Sequence, residues 1–78
     1  MTREEFKSII EVRRDFDFSF RGKRYMINAK KLSSGEFEIS FGEEYASPVV
    51  YDSFLHLMAE AQIEKIMLSD ALVDIVVG

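Results

Sequence analysis

The chain of 78 residues contains no cysteine, no tryptophan and a single proline. Without cysteine it can form no disulfide, no thiolate nucleophile and no cysteine-based zinc site. No apolar run approaches the roughly 20 residues that a membrane helix needs, and the charged beginning, Met1 to Phe6, lacks the apolar core of a secretion signal. We therefore expect a soluble protein of the cytoplasm, whose reducing conditions fit a cysteine-free sequence.

Motifs of catalysis are also missing. The four glycines stand apart, so the chain has no glycine-rich loop that could cradle a phosphate, and no serine has a catalytic motif around it. The single histidine, His56, follows Asp52 by four residues and precedes Glu60 by four, so on a helix the three would line up. Such a trio could bind a divalent metal or poise a general base. However, the line lies opposite the apolar stripe of the helix, so we expect a solvated face, no metal, no cofactor and no enzymatic activity.

Charge is unevenly placed along the chain, whose formal net charge is −4. Between positions 13 and 31, seven basic residues stand against two acidic ones, whereas from position 32 onwards Lys65 stands alone against nine acidic residues. A local potential of this kind can steer a partner, although basic and acidic faces can also simply compensate each other within one domain. The basic residues predicted as a candidate interaction surface are Arg13, Arg14, Arg21, Lys23 and Arg24.

Apolar and polar residues alternate from Phe16 to Phe20 and again from Tyr25 to Ala29, which predicts two strands of a hairpin. The Gly-X pair between them favours a two-residue II′ turn at Gly22 and Lys23. That turn would set Phe20 opposite Tyr25, and all apolar side chains would then share one face.

A second turn ending at Gly35 leads to a third alternating segment, so the sequence predicts a three-stranded antiparallel meander. One face of this sheet would be large and mostly aromatic, and an exposed apolar patch of that size is uncommon on a monomer. Helices or another subunit must therefore cover it. Its predicted members are Phe16, Phe18, Phe20, Tyr25, Ile27, Phe37, Ile39 and Phe41. The opposite face carries stripes of acidic, basic and acidic residues, as a solvated face usually does.

Helices are predicted on both sides of the meander. Thr2 and Glu5 form a capping-box pattern at the first helix. Asp52 is the expected N-cap of the second, and Val49–Tyr51 before it could form a short extended segment. We expect a break between about Gln62 and Leu68, a new N-cap at Ser69-Asp70, and then a short helix that carries Leu72, Val73 and Ile75. An unbroken helix to Val76 is the alternative. The prediction for residues 1–78 is one α+β domain: an N-terminal helix, a three-stranded antiparallel meander, and one or two C-terminal helices packed on one sheet face.

This order of elements is similar to that of the double-stranded-RNA-binding domain. That family grips phosphates with a lysine cluster at the start of its last helix, whereas here the same position reads Tyr51-Asp52-Ser53-Phe54. An acidic helix would repel a phosphate backbone where contact is needed. The basic hairpin tip, Arg21 to Arg24, could still contact phosphate, so nucleic-acid binding stays open as an alternative.

The segment Phe20-Arg-Gly-Lys-Arg-Tyr-Met-Ile27, followed by Tyr51-Asp-Ser-Phe-Leu-His-Leu57, resembles short bacterial proteins, some of them prophage-encoded, that pair a Gly-Lys hairpin with a Phe-led helix start. The resemblance covers about half of the chain, implies no activity and transfers no site residue. We therefore expect a small non-catalytic protein-interaction module that either self-associates as a homodimer or docks on another protein, with free sheet edges and the apolar Ile63–Val77 segment as contact surfaces. The alternative is a nucleic-acid-binding accessory protein that uses the hairpin tip.

Overall fold

The computed structural model describes residues 1–77, which form one five-stranded antiparallel sheet with helices against one of its faces. The sheet order is β4-β3-β2-β1-β7. In chain order the elements are α1 (Arg3–Arg13), β1 (Asp15–Phe20), β2 (Lys23–Lys31), β3 (Phe37–Glu43), β4 (Val49–Tyr51), α2 (Phe54–Glu60), β5 (Gln62–Ile63), β6 (Ile66–Met67), α3 (Leu68–Ala71), a 3₁₀ turn (Leu72–Asp74) and β7 (Ile75–Val77).

The α+β class and the helix-covered face are as predicted, but the sheet is larger than the predicted three-stranded meander. The short segment β4 pairs with β3, with Val50 opposite Ser40, and extends the meander to four strands. Strand β7 returns from the C-terminal helices and pairs with β1, with Val76 opposite Ser19. The prediction missed β7 because the spacing of Leu72, Val73 and Ile75 fits a short helix. In the structure the helical conformation ends at Asp74, and the β-branched residues that follow are extended.

The β1–β2 hairpin keeps the predicted faces but not the predicted turn. Phe20 lies opposite Lys23, not Tyr25, so the turn residues are Arg21 and Gly22 rather than Gly22 and Lys23. Both have positive φ, +50° and +82°, as a type I′ turn requires, and this turn matches the twist of the strands. The register thus differs from the predicted one by two residues. Because side chains alternate with a period of two, each stayed on its predicted face.

Side-chain hydrogen bonds cap the N-termini of α1 and α2. Thr2 accepts a hydrogen bond from the Glu5 amide over 3.1 Å, and the Glu5 carboxylate accepts one from the Thr2 amide over 2.9 Å, which confirms the capping box. These bonds hold the pKa of Glu5 below its ordinary value. At α2 the cap is Ser53, whose hydroxyl accepts from the His56 amide over 3.0 Å. The prediction of Asp52 as this cap was wrong by one position.

The predicted break after α2 is present, and it contains a small hairpin. Ala61 leaves the helical conformation, and β5 pairs with β6 through a turn at Glu64 and Lys65, both with positive φ. The following helix α3 begins at Leu68 without a side-chain cap, so the predicted cap at Ser69 and Asp70 was wrong. The alternative of an unbroken helix to Val76 was wrong as well.

The core lies between the helices and the covered face of the sheet. The ring of Phe18 stacks against Phe41, with centroids 6.0 Å apart and planes within 1°, and against Tyr25 at 5.7 Å. Phe6 of α1 meets Phe18 edge-on at 6.2 Å. Phe18, Phe6 and Leu57 of α2 are fully buried. The aromatic face is therefore core, as predicted, and it offers no rings for external ligands.

Candidate interaction surface

The opposite face of the sheet is not covered by any element in residues 1–77. By strand alternation it carries Met26 and Asn28 of β2, Ser40 and Gly42 of β3, and Val50 of β4. Met26 is 44% exposed and Val50 54% exposed, although both belong to an ordered sheet. We call this surface the open face.

Close approach of the β3–β4 loop creates a cleft at the centre of the open face. A Cβ atom added to Gly42 would lie 3.0 Å from the Cα of Pro48, so glycine at this position lets the loop fold back onto the sheet. The cleft has a volume of about 160 Å³. Its apolar wall is formed by Met26, Ala46 and Pro48, Tyr45 lies at its border, and Asn28 and Ser40 supply polar groups.

Tyr45 is the most exposed large side chain beside this cleft. It is 98% exposed and its φ is +68°, a left-handed conformation that costs a non-glycine residue free energy. A buried tyrosine ring normally gains stability from packing, whereas this one gains almost none in the isolated chain. An exposed aromatic side chain next to an apolar cleft is the composition typical of protein-binding surfaces.

Charged side chains surround the apolar centre. On the open face, four carboxylates stand against two cations: Asp15, Asp17, Glu38 and Glu44 against Arg24 and Lys30. Arg24 hydrogen-bonds Asp17 across the β1–β2 pair. That bond holds the pKa of Asp17 below its ordinary value and raises the pKa of Arg24, to which Glu44 makes a smaller contribution. Glu43, which lies opposite Tyr25 in the β2–β3 pair, belongs to the other face of the sheet. The open face is thus acidic around an apolar centre through Asp15, Asp17, Glu38 and Glu44.

The five basic residues predicted as an interaction surface do not form one patch. Arg13 and Arg14 lie at the beginning of β1, whereas Arg21 and Lys23 lie beyond its other end. Six strand residues at about 3.3 Å each separate the two groups by roughly 20 Å. The arginine side chains at the first site lie over aromatic rings, with Arg13 5.6 Å from the Phe16 centroid and Arg14 5.4 Å from that of Phe37.

Each basic residue of the hairpin tip has an acidic neighbour within the chain. Arg21 lies 4.0 Å from Asp74, Lys23 lies 3.8 Å from Glu64, and Arg24 pairs with Asp17. All three pairs are solvent-exposed, so each is weak. Together they nevertheless lower the positive potential that the sequence alone suggested for the tip.

The His56 trio lines up along α2 as predicted. Nδ1 of His56 lies 2.9 Å from Asp52 Oδ1, and Nε2 lies 2.6 Å from Glu60 Oε2. The carboxylates thus occupy opposite ring nitrogens and do not converge on one point. In the part of the chain that the structure describes, no group of three or more metal-ligating side chains is placed to hold a metal ion.

The sheet edges are less open than the sequence suggested. On the β4 edge, Pro48 has no N–H, and the N–H of Asp52 donates to His56 Nδ1 over 3.3 Å. On the β7 edge, the N–H of Ile75 is bonded to the carbonyl of Leu72, and the strand has only three residues. Short edges with occupied or missing donors resist strand addition.

Apolar side chains of the Ile63–Val77 segment mostly pack against the core. Ile63, Leu68 and Leu72 are at most 2% exposed, and Val73 and Val76 are the large apolar side chains that face solvent. The expectation that this segment is a contact surface was therefore wrong for its buried side chains, which are Ile63, Leu68, Ala71, Leu72 and Ile75. These residues belong to the same core cluster as Phe18 and Leu57.

Larger hollows than this cleft also occur, among them an open one of about 350 Å³ beside Leu32, Asp52 and Leu55 and two on the helix side. One of about 340 Å³ between α1, α2 and the β2–β3 turn is bordered by the charged residues Lys7, Glu11 and Glu36. The other, of about 320 Å³, lies beside Tyr25 and Tyr51 near the β5–β6 hairpin. Burial is the main cause of the raised pKa of both tyrosine hydroxyls. Both hollows have mixed polar and apolar walls, unlike the cleft on the open face.

Comparison of the chain with protein-family models, curated proteins and solved structures gives no match. The longest helix, α1, has 11 residues, and none of the helices in residues 1–77 has the length and apolar character that crossing a membrane requires.

The residues of the cleft were not singled out from the sequence. Met26 interrupts the polar series Arg24, Asn28, Lys30 on the outward positions of β2, and this signal alone could have pointed to the site. Tyr45 gave no signal, because its exposure depends on the path of the β3–β4 loop.

Proposed function

We propose that this chain is a small non-catalytic protein-interaction module that binds its partner through the open face. The observation that carries the proposal is the arrangement of an apolar cleft and the almost fully exposed Tyr45 within a ring of charged side chains. Protein interfaces commonly have this form, with an apolar centre and a polar rim. The cytoplasm as its compartment is part of the proposal and rests on the cysteine-free sequence.

Self-association is a less favoured form of this function. Two copies that met through their open faces would bring acidic rims together, and like charges in an interface reduce affinity. Both edge strands of the sheet have only three residues, which leaves little length for strand pairing between copies. A homodimer through the open face should therefore form only at high salt.

Nucleic-acid binding through the hairpin tip is the second candidate, and acidic side chains close to the tip make it less favoured. The tip residues Arg21, Lys23 and Arg24 each have an acidic neighbour, and the net charge of the chain is −4. Reversal of Arg21 to glutamate should abolish salt-dependent DNA or RNA binding if this alternative is correct.

Site-specific photo-cross-linking tests the proposal. Benzoylphenylalanine would replace Met26 or Val50 on the open face, and Val12 or Val73, which are 82% and 74% exposed, as matched controls on the helix side. Irradiation in cells that naturally express the chain, followed by mass spectrometry, should give one discrete protein adduct from positions 26 and 50 and none from positions 12 and 73. Equal adducts from all four positions, or none from the open face, would contradict the proposal. Adducts with RNA would support the alternative, and adducts of the chain with itself would support self-association.

A further inference from the structure

The open face also carries information about the chemistry of its partner, if the proposed function is correct. We infer that it binds a basic segment of another protein, in which one apolar side chain enters the cleft and a neighbouring arginine or lysine contacts Tyr45 and the carboxylate of Glu44. This assignment depends on three properties of the site: the volume of the cleft, the sign of the surrounding charge and the position of Tyr45.

The volume of the cleft fits a single side chain. Pockets for small organic ligands usually measure roughly 300–1,000 Å³, whereas this cleft has about 160 Å³. Interface anchors, by contrast, are individual side chains that fill small, well-packed pockets. The wall formed by Met26, Ala46 and Pro48 offers mainly aliphatic surface, so the anchor should be apolar, with Leu, Met or Phe as suitable residues.

The sign of the charge excludes two other kinds of occupant. Four carboxylates against two cations on the open face repel a phosphate backbone. They equally repel a second copy of the same face. Electrostatic complementarity therefore favours a partner with positive charge on both sides of its anchor, and such charges also accelerate association.

Tyr45 lies between the acidic rim and the cleft. It follows Glu44 in sequence, and its ring is free of contacts over almost its whole surface. A guanidinium or ammonium group that pairs with the Glu44 carboxylate can lie over the exposed ring, where cation–π attraction adds to the ion pair. Within this chain, Arg13 and Arg14 already lie over Phe16 and Phe37 in this manner.

Titration of the isotope-labelled full chain with synthetic peptides, followed by NMR, tests the inference. The first probe is a nine-residue peptide with a central phenylalanine flanked on each side by arginine and lysine. The second has serine at the centre, and the third has glutamate in place of every basic residue. The first peptide should shift the amide signals of Met26, Gly42 and Tyr45 in a saturable manner, the second should bind at least about tenfold more weakly, and the third should not bind.

Variants of the chain locate the binding site. Tyr45→Ala should weaken the first peptide at least about tenfold, whereas Leu55→Ala, which removes an apolar side chain of 72% exposure on α2, should leave its affinity unchanged. The double reversal Glu38→Lys with Glu44→Lys, at two carboxylates of the open face, should abolish the effect of low salt on binding. Its control is Glu11→Lys with Asp70→Lys, which changes the net charge equally at exposed positions on the helix side.

The titration gives distinct outcomes for the two proposals. Signal shifts confined to the hollow near Lys7 and Leu55, equal binding of the basic and acidic peptides, or no shift at millimolar peptide would overturn the inference. Cross-links from positions 26 and 50 to a partner would then still support the proposed function, with a partner of different chemistry. Absence of those cross-links together with absence of peptide binding would remove both proposals.

Discussion

The two faces of the sheet have the same backbone and opposite roles. The covered face carries stacked rings that are buried by α1 and α2, and the open face carries a small apolar cleft within charged side chains. Both faces contain apolar residues on β2: Ile27 is fully buried, whereas its neighbour Met26 is 44% exposed. An apolar residue on the covered face is explained by folding, whereas one on the open face gains little from folding. The open face is therefore where apolar residues indicate function.

The largest expected effect is a difference in stability between a variant of the covered face and a variant of the open face. Phe18→Ala removes the ring at the centre of the aromatic stack and should lower the free energy of unfolding by about 3–5 kcal/mol. Met26→Ala on the open face should lower it by less than about 1 kcal/mol, because Met26 is half exposed in the folded chain. Urea unfolding followed by circular dichroism measures both. Similar losses for the two variants would show that the open face contributes to the core, which would contradict the comparison.

An intermediate effect is expected at the contact between the open face and its loop. Gly42→Ala places a methyl group 3.0 Å from the Cα of Pro48, so the loop must move, at a cost of roughly 1–3 kcal/mol. NMR should show altered signals from Tyr45 and Ala46 while the signals of α1 remain in place. Ser40→Ala, on the same face of β3, is the control and should change neither the stability nor the loop. A Gly42→Ala variant with unaltered loop signals would show that the cleft does not depend on this close approach.

The smallest effect concerns the acid dependence of stability. The hydrogen bond from Arg24 holds the pKa of Asp17 below its ordinary value in the folded chain, whereas in the unfolded chain the pKa returns to that value. The stabilising contribution is therefore complete above the unfolded pKa, and it is lost as the pH falls through the lower pKa of the folded state.

Asp17→Asn removes this contribution, so its unfolding free energy should fall less than that of the unaltered chain between about pH 6 and about pH 2. In Glu5→Gln the unfolding free energy should likewise fall less over this pH range, because the hydrogen bonds with Thr2 lower the pKa of Glu5 in the folded chain. Denaturant titrations at a series of pH values measure the two slopes. An Asp17→Asn variant with an unaltered acid slope would mean that the exposed pair with Arg24 contributes nothing to stability, as is common for surface ion pairs.

Local patterns predicted much of the fold because they act over a few residues. The Thr2–Glu5 capping box and the alternation of Phe16, Phe18 and Phe20 depend on near neighbours in sequence, and the structure confirms both. The hairpin turn was wrong by one position, since Arg21 adopts positive φ, which is uncommon for arginine. The error left the faces intact because a register shift of two residues preserves side-chain direction.

The basic surface was predicted less well because charge counts along a sequence ignore distance in space. Arg21, Lys23 and Arg24 find acidic neighbours in β1, the β5–β6 hairpin and the 3₁₀ turn, which are far apart in sequence. The cleft depends on the return of Pro48 to Gly42, a contact between the two ends of a loop.

By itself, the sequence determined which side chains of this protein are apolar, with what period, and where its first helix is capped, because these features follow from local geometry. Only the tertiary structure decided that β7 completes the sheet beside β1, that the basic tip is paired with carboxylates, and that Tyr45 stands exposed beside an apolar cleft. The first two depend on contacts between segments distant in sequence, and the third depends on the path of the β3–β4 loop, so no local pattern specifies them.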